Sequence, residues 1–348
     1  MSKSKYLKSL SAFESAARVA IPKEQWEWVV GAAELGRTME RNRDQFRDFY
    51  LRTRVLSGID KVLCDSRFLG VATRTPIVVA PLGHMTQFTP DGELEIVRAA
   101  SRAGAHSVVS MHTRRSLEIL SRAVGDSGWS YQVYLYSDPE VVLSQVTRAV
   151  SLGASSTVVT VANSHRSPSY GRQEDPWDAR LKGDRDEPLL PEARDDRLWT
   201  WSMLESLIAS VKCPIVVKGI QTTEDACKAI AANAAGIWIS NHGGRVTETD
   251  QSLLKELAEI RTVVGPHHPI TIDGGFRTGS DVVKALLLGA SNVAVGRPLI
   301  HGAIVDGEQG IFDVLEILVV ETALVLGSLG IESVLSAPGH RAQVASTR

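Results

Sequence analysis

Eight short runs rich in valine and isoleucine punctuate the chain, at residues 76–81, 107–110, 131–136, 156–161, 214–219, 236–241, 269–275 and 292–298. Each has the length of a strand that is apolar on both faces and therefore needs cover on both sides. The segments between them, such as 93–103, 139–152, 223–232 and 280–288, carry apolar residues at helical spacing. Strand and helix alternating eight times predict an α/β chain folded as a (β/α)8 TIM barrel. A doubly wound open sheet uses the same elements, but the Gly-x-Gly-x-x-Gly turn that usually opens one is absent from the sequence.

Two parts stand outside this beat. Residues 1–75 show no clear strand; stretches from Ser11 to Ala20 and from Glu24 to Phe49 have helical composition, so a helical segment packed on the barrel of residues 76–348 is expected. The break at about 163–199 is dense in Asp, Glu, Arg and Pro from Gly171 to Arg197 and reads as a charged loop, a mobile lid or an exposed excursion.

Charge and cysteine content narrow the function classes. With 38 basic and 40 acidic residues among 348, the chain offers no electrostatic footprint for nucleic acid. No segment is apolar for long enough to cross a bilayer, and the opening Met-Ser-Lys-Ser-Lys-Tyr is followed by no signal-peptide core, so a soluble, cytoplasmic protein without a membrane partner is expected. Cys64, Cys213 and Cys227 are odd in number and lack ligand spacing, so no metal is expected and the thiols read as small buried or partly buried side chains.

A barrel places its chemistry at the C-terminal ends of its strands. Read in order, those ends carry Pro81-Leu82-Gly83, Ser110, Gln132 with Tyr134, Thr160, Lys218, the stretch Ser240-Asn241-His242-Gly243-Gly244-Arg245, then Asp273-Gly274-Gly275 with Arg277, and Gly296-Arg297. A strand ending in His, two glycines and Arg sets an ionisable base beside a fixed cation, and the glycines let the backbone approach a ligand. Lys218, directly after Ile-Val-Val, would be costly to bury without an anionic partner. The glycines and arginines after the seventh and eighth strands suit a phosphoryl group held by backbone N–H groups and guanidinium. Together these ends imply a phosphorylated ligand beside an anionic substrate.

The runs Val217-Lys218-Gly219, Ser240 to Arg245, Asp273-Gly274-Gly275-Phe276-Arg277-Thr278-Gly279-Ser280-Asp281-Val282 and Gly296-Arg297-Pro298, with Ala80-Pro81, Asp91-Gly92-Glu93 and Gln132-Val133-Tyr134 upstream, resemble the motifs of the FMN-dependent α-hydroxy acid oxidase and dehydrogenase family. That family includes glycolate oxidase, lactate oxidase and mandelate dehydrogenase. The resemblance covers nearly the whole chain and is weakest before Pro76 and between Ala162 and Trp199. It implies FMN as cofactor and oxidation of a 2-hydroxy acid to a 2-keto acid, with electrons passing on to oxygen or another acceptor. It implies His242 as the base, Arg245 as the grip on the substrate carboxylate, Tyr134 as a substrate hydrogen-bonding group and Lys218 beside the flavin N1/O2 edge. Ser110, Gln132 and Thr160 match polar residues around the isoalloxazine, with Pro81, Leu82 and Gly83 running along it. Asp273 matches a ribityl contact, and Gly275, Arg277, Gly296 and Arg297 match the phosphate grip, with Ser240 and Gly274 in the same motifs. The proton that His242 takes comes from the hydroxyl if hydride transfer operates, or from the α-carbon if a carbanion forms. A homo-oligomer, by analogy a tetramer, is implied as well.

The sequence departs from the family pattern at several substrate-facing positions. Glu27, between Trp26 and Trp28, stands where relatives usually have a tyrosine, and His112, after Met111, replaces a tryptophan. The aspartate that commonly supports the histidine reads Ala162, which predicts a weaker base unless Asn163 or Glu27 substitutes. The second arginine of the family falls on Arg172, within Tyr170-Gly171-Arg172-Gln173. The charged break is not apolar and so is no membrane-anchoring insertion. These changes leave two alternatives: a specialised oxidation of a larger or amine-bearing metabolite in a biosynthetic pathway, with Glu27 receiving a cationic group, and a flavoprotein that has lost turnover.

Overall fold

A computed structural model of the chain describes residue 4 and residues 7–135, 138–162 and 199–346. It opens with the helices α1 (Leu10–Ala20), α2 (Lys23–Val29) and α3 (Arg37–Asp44), followed by the short strands β1 (Phe49–Leu51), β2 (Ser66–Phe68) and β3 (Val71–Thr73). The eight apolar runs then form β4 (Ile77–Leu82), β5 (His106–Ser110), β6 (Trp129–Tyr134), β7 (Ser156–Thr160), β8 (Ile215–Ile220), β9 (Gly236–Ile239), β10 (Ile270–Ile272) and β11 (Asn292–Val295). All pair in parallel and close into a barrel in the order β10-β11-β4-β5-β6-β7-β8-β9. A final strand, β12 (Val344–Ser346), returns antiparallel to β1.

The alternation of side chains along each strand sorts the apolar residues into two cores. Ile77, Val79, Val109, Val133, Val159, Val217 and Ile237 belong to the large core beneath the surrounding helices. Val78, Ala80, Val108, Val158, Val216, Trp238 and Ala294 fill the barrel itself. Two residues beyond Val108, Val158, Val216 and Trp238 on the same inward face come Ser110, Thr160, Lys218 and Ser240. The sequence period thus delivers polar groups to the upper interior.

The N-terminal part differs from the strandless segment expected. β2 and β3 form a hairpin across Leu69 and Gly70, both at positive φ (46° and 89°), the conformation of the tight turns that suit hairpin twist. Leucine in that region is strained, and nothing in its residue type announces the turn. Its side chain compensates by packing, with Phe68, on the barrel interior. The helical stretch expected from Glu24 to Phe49 is also broken, because residues 30–36 cross the barrel mouth, where Ala33 N–H donates to the Gly244 carbonyl (2.8 Å).

The floor of the barrel is polar. His106 is fully buried, stacks on Phe68 (4.3 Å), and makes 2.7 Å hydrogen bonds through Nδ1 to the Ser127 carbonyl and through Nε2 to Ser130 Oγ, which in turn meets Ser156 Oγ. Burial pushes its pKa down to about 4. The three cysteines are free thiols; Cys64 and Cys213 are half-buried, whereas Cys227 is exposed rather than covered, because it lies on the outer side of a surface helix (Thr223–Ala231).

Candidate active site

A cavity of about 240 Å³ opens at the C-terminal ends of the barrel strands. The end of β4 and its continuation line it with Pro81, Leu82 and Gly83, and the ends of β5 to β8 with Ser110, His112, Tyr134, Thr160 and Lys218. His242 and Arg245 come from the loop after β9, Asp273, Gly274, Gly275 and Arg277 from the loop after β10, and Gly296 and Arg297 from the end of β11. Residues spread over more than two hundred positions of sequence therefore face one volume.

Two residues expected in contact with cofactor stand behind this wall. Gln132 is fully buried, accepting a hydrogen bond from Ser110 Oγ (3.1 Å) and donating one to Thr160 Oγ1 (3.1 Å), so it fixes two lining hydroxyls from beneath. Ser240 is likewise fully buried. Its hydroxyl donates to Asp273 and accepts from Lys218 Nζ (2.6 Å) and from the His242 backbone N–H (3.1 Å), using its one donor and both lone pairs.

The burial of Lys218 is compensated as the sequence demanded. Its Nζ lies 2.9 Å from Asp273 Oδ2, and the same carboxylate accepts from Trp238 Nε1 (3.0 Å). A buried pair needs such additional donors to offset desolvation. The base loop hangs from this network through Ser240. His242, Gly243 and Gly244 follow one another at positive φ (56°, 65° and 75°). Glycine is required at the last of them, since a Cβ would stand 2.6 Å from Met39 N. Holding His242 in that region costs about 1–3 kcal/mol, a strain of the kind stored at functional sites.

The far end of the cavity is strongly cationic. Arg297 donates from Nη2 to the Gly243 carbonyl (2.7 Å). Burial, reinforced by repulsion from Arg245, Arg277 and Arg43, pushes its pKa down to about 9. Arg277 is pushed down to about 10 by burial and by Arg43, while Glu14 works in the opposite direction. Glu14, from α1, bonds Arg43 Nη2 (2.7 Å) and faces Arg277 Nε (3.7 Å); burial opposes its ionisation, but these cations outweigh it and hold its pKa low. Half-buried guanidinium groups in mutual repulsion, beside the left-handed Gly274 and Gly275, form a cradle for a dianion. A phosphate suits it.

On the opposite side Arg245 Nη1 donates to the carbonyls of Trp28 (2.9 Å), Val29 (3.3 Å) and Gly31 (3.2 Å), closing the C-terminus of α2; Arg297 Nη2 reaches the same Gly31 carbonyl (3.4 Å), and the Arg245 guanidinium lies 5.1 Å from the Trp28 ring centroid. Trp28 and Val29 line the cavity; Glu27 does not. Glu27 is exposed and pairs with Lys23 (3.5 Å), so a role in holding substrate or in supporting His242 is not available to it where it stands. One helical step, about 100°, separates the expected residue from the one that faces inward. Ala162 packs its backbone and Cβ against Gly219, where a Cβ would meet it at 2.7–2.8 Å. Arg172, Asn163 and the charged loop lie outside the described residues.

A family model described as FMN-dependent dehydrogenase matches residues 17–342. The chain belongs to the FMN-dependent dehydrogenase family. Peroxisomal (S)-2-hydroxyacid oxidase GLO3 of Arabidopsis thaliana is 32% identical over 332 residues, 89% of each chain. Peroxisomal (S)-2-hydroxy-acid oxidase GLO4 of Oryza sativa subsp. japonica is 33% identical over 341 residues, 92% of each. A crystal structure of mandelate oxidase with (S)-2-phenylpropionate superposes with a TM-score of 0.85 at 31% identity, covering 98% of both chains. This member of the FMN-dependent dehydrogenase family is an FMN-dependent oxidoreductase of the 2-hydroxyacid oxidase group. The same finding corrects the cytoplasmic expectation, because GLO3 and GLO4 are peroxisomal. That expectation rested on the lack of an apolar leader, and peroxisomal import reads a short address that needs none.

Several residues of the site escape a reading of strand ends. Trp28, Val29, His84, Phe276, Pro298 and Ile300 line the cavity, and Glu14, Met39, Asn42, Arg43 and Gln45 support its loops from the N-terminal helices. Phe276 and Pro298 lie inside the motifs quoted above; for the N-terminal residues the sequence signal is indirect, since glycines at 244, 274 and 275 require some neighbour to approach closely without saying which.

Proposed function

We propose that this protein oxidises a 2-hydroxy acid to the 2-keto acid with FMN in the cavity at the barrel mouth. The observation that carries the reading is the convergence of His242, Arg245 and Lys218 on one volume whose far end is the Arg277 and Arg297 cradle. The cradle fits the FMN phosphate, the loop backbone at residues 81–83 fits alongside the ring, and Lys218 fits its N1/O2 edge. When bound, FMN supplies the two-electron acceptor that the amino acids lack.

Arg245 holds the substrate carboxylate; its planar fork fixes the acid in register in a way that an ammonium would not. Tyr134 donates to the substrate oxygen. His242 takes the proton released on oxidation, from the hydroxyl or from the α-carbon, on a ring nitrogen. Lys218, paired with Asp273, is a fixed cation where negative charge builds on the acceptor, so little reorganisation is needed. Trp28 and Val29 add apolar surface to the cavity wall beside Arg245. The second arginine at Arg172 and the tetramer are carried by resemblance alone. The amine-bearing alternative loses its basis with Glu27 at the surface.

The test is anaerobic mixing of the purified yellow protein with 2-hydroxy acids, followed by admission of air. The reading predicts that the flavin released by denaturation is FMN, that at least one acid bleaches it, and that the 2-keto acid appears in equal amount. A bound flavin that no 2-hydroxy acid bleaches would overturn the reading.

A further inference from the structure

Gln45 opens the tight turn Gln45–Asp48 that follows α3, and it is fully buried. Its amide reaches three parts of the chain. Nε2 donates to the Asn42 carbonyl (3.0 Å) and to the Gly274 carbonyl (3.1 Å), while Oε1 accepts the Leu254 N–H (3.0 Å). The Leu254 contact caps the helix Leu253–Val264, whose N-cap residue Ser252 offers no side-chain cap of its own and turns its hydroxyl to Gln45 (3.5 Å). The Asn42 contact closes the tail of α3. The bond to Gly274 serves neither helix.

That bond acts on the loop after β10. Gly274 and Gly275 both line the cavity, at φ 108° and 86°. Glycine is demanded at the second by α3, because a Cβ there would overlap the Asn42 carbonyl. A pair of glycines leaves the peptide between them free to turn either its carbonyl or its N–H toward the cavity. The Gly274–Gly275 peptide is planar and trans, so these two groups point in opposite directions. Gln45 stands behind the cavity wall, and the carbonyl that it holds is therefore turned outward. The Gly275 N–H is turned inward, on the side of Arg277 and Arg297.

We infer that Gln45 is a positioning residue for the FMN phosphate: its amide fixes the Gly274–Gly275 peptide with the carbonyl away from the cradle and the N–H toward it. This rests on the oxidase reading above, in which FMN fills the cavity with its phosphate at Arg277 and Arg297. A backbone N–H aimed at a phosphate is a charge-assisted donor, whereas a carbonyl in the same place would repel the dianion. The arginines supply the charge, and Gln45 sets the direction of the peptide dipole beside them. Riboflavin lacks the phosphate and is nearly indifferent to which way this peptide faces. Gln45 thereby favours the phosphorylated flavin without touching it.

The experiment titrates the full-length apoprotein with FMN and with riboflavin, following flavin fluorescence, in the wild type and in Gln45→Met. Methionine keeps the length of the side chain and removes the donors. FMN affinity should fall roughly tenfold, the worth of one hydrogen bond to a charged group, with riboflavin affinity little changed. In parallel, the phosphorus NMR resonance of bound FMN should move in the variant. If loss of the helix cap keeps Gln45→Met from folding, Gln45→Asn, whose shorter side chain draws the amide back from Gly274, reads the same ratio. Equal falls for the two flavins would show that Gln45 serves the fold alone. That result, or a folded variant with wild-type FMN affinity and an unmoved phosphorus resonance, would overturn the inference while leaving the oxidase reading intact. A wild-type apoprotein that binds FMN no better than riboflavin would overturn the placement of the phosphate, and this inference with it.

Discussion

Asn42 and Asn241 exchange both amide hydrogen bonds: Asn42 Nδ2 donates to Asn241 Oδ1 at 2.9 Å, and Asn241 Nδ2 donates to Asn42 Oδ1 at 2.8 Å. Asn241 Oδ1 also accepts the Gly244 N–H (3.2 Å), which shapes the turn that carries His242. The backbone of α3 at Asn42 lies so close to Gly275 that a Cβ there would stand 1.8 Å from the Asn42 carbonyl oxygen. One residue of an N-terminal helix therefore holds both the base loop and the phosphate loop.

Substituting Asn42 by leucine leaves the buried Asn241 amide without its partner, which should cost about 1–3 kcal/mol of stability. Flavin reduction should slow more than the loss of folded protein explains. Denaturant unfolding beside kcat on the folded fraction separates the two effects. Gly275→Ala, which forces α3 away, should lose FMN outright.

Lys218→Met removes one half of the pair with Asp273 and leaves a buried carboxylate whose remaining donors are Trp238 Nε1 and Ser240 Oγ. A loss of about 3–5 kcal/mol is expected, with part of it recovered when Asp273→Asn is added. A double-mutant cycle in urea reads the coupling. In Lys218→Met the reduction potential of bound FMN should fall, since a cation that favours the reduced, anionic ring is gone.

Arg297→Met should weaken FMN far more than riboflavin. The loss of a charge-assisted contact to phosphate is worth roughly 10- to 100-fold in affinity. Fluorescence titration of the apoprotein with each flavin measures the ratio, and equal losses for both would show that Arg297 serves the fold rather than the phosphate.

Acid should destabilise the protein through two buried histidines. Burial holds His106 down to about 4 and, together with the nearby Arg277, holds His301 down to about 3, against 6.5 for the free side chain. Both are neutral when folded and bind protons when unfolded, so the stability they confer is fully present above pH 6.5. It is lost as pH falls from there toward 4 for His106 and toward 3 for His301, on the order of 3 kcal/mol for a shift of this size. Melting temperature followed across that window should drop, and the drop should be shallower in His106→Gln.

The barrel was legible because most of its strands centre on Val and Ile and its helices keep a 3.6-residue period, and these local patterns survive in any tertiary context. The polar residues at the strand ends were legible for the same reason, since a strand fixes the height and face of its last residues. The loop and helix contributions were not. Glu27 and Trp28 are neighbours in sequence, and which of them faces the cavity depends on how α2 is rotated against the loop bearing Arg245, a contact across 217 residues. Asn42, Arg43 and Glu14 look like ordinary polar residues of an exposed helix until the barrel is in place. The β2–β3 hairpin turns on Leu69, whose residue type argues against a turn, and β1 finds its partner only at β12, near the other end of the described chain.

Proton removal by His242 from a 2-hydroxy acid held by Arg245 is the step on which the proposed chemistry depends. Its most direct test is rapid anaerobic mixing of His242→Gln holoenzyme with the best 2-hydroxy acid, after checking that FMN content matches the wild type. Loss of a general base predicts flavin reduction slowed at least about 100-fold, with the acid still bound. Reduction at the wild-type rate in a fully loaded variant would contradict that role and assign the proton to another group.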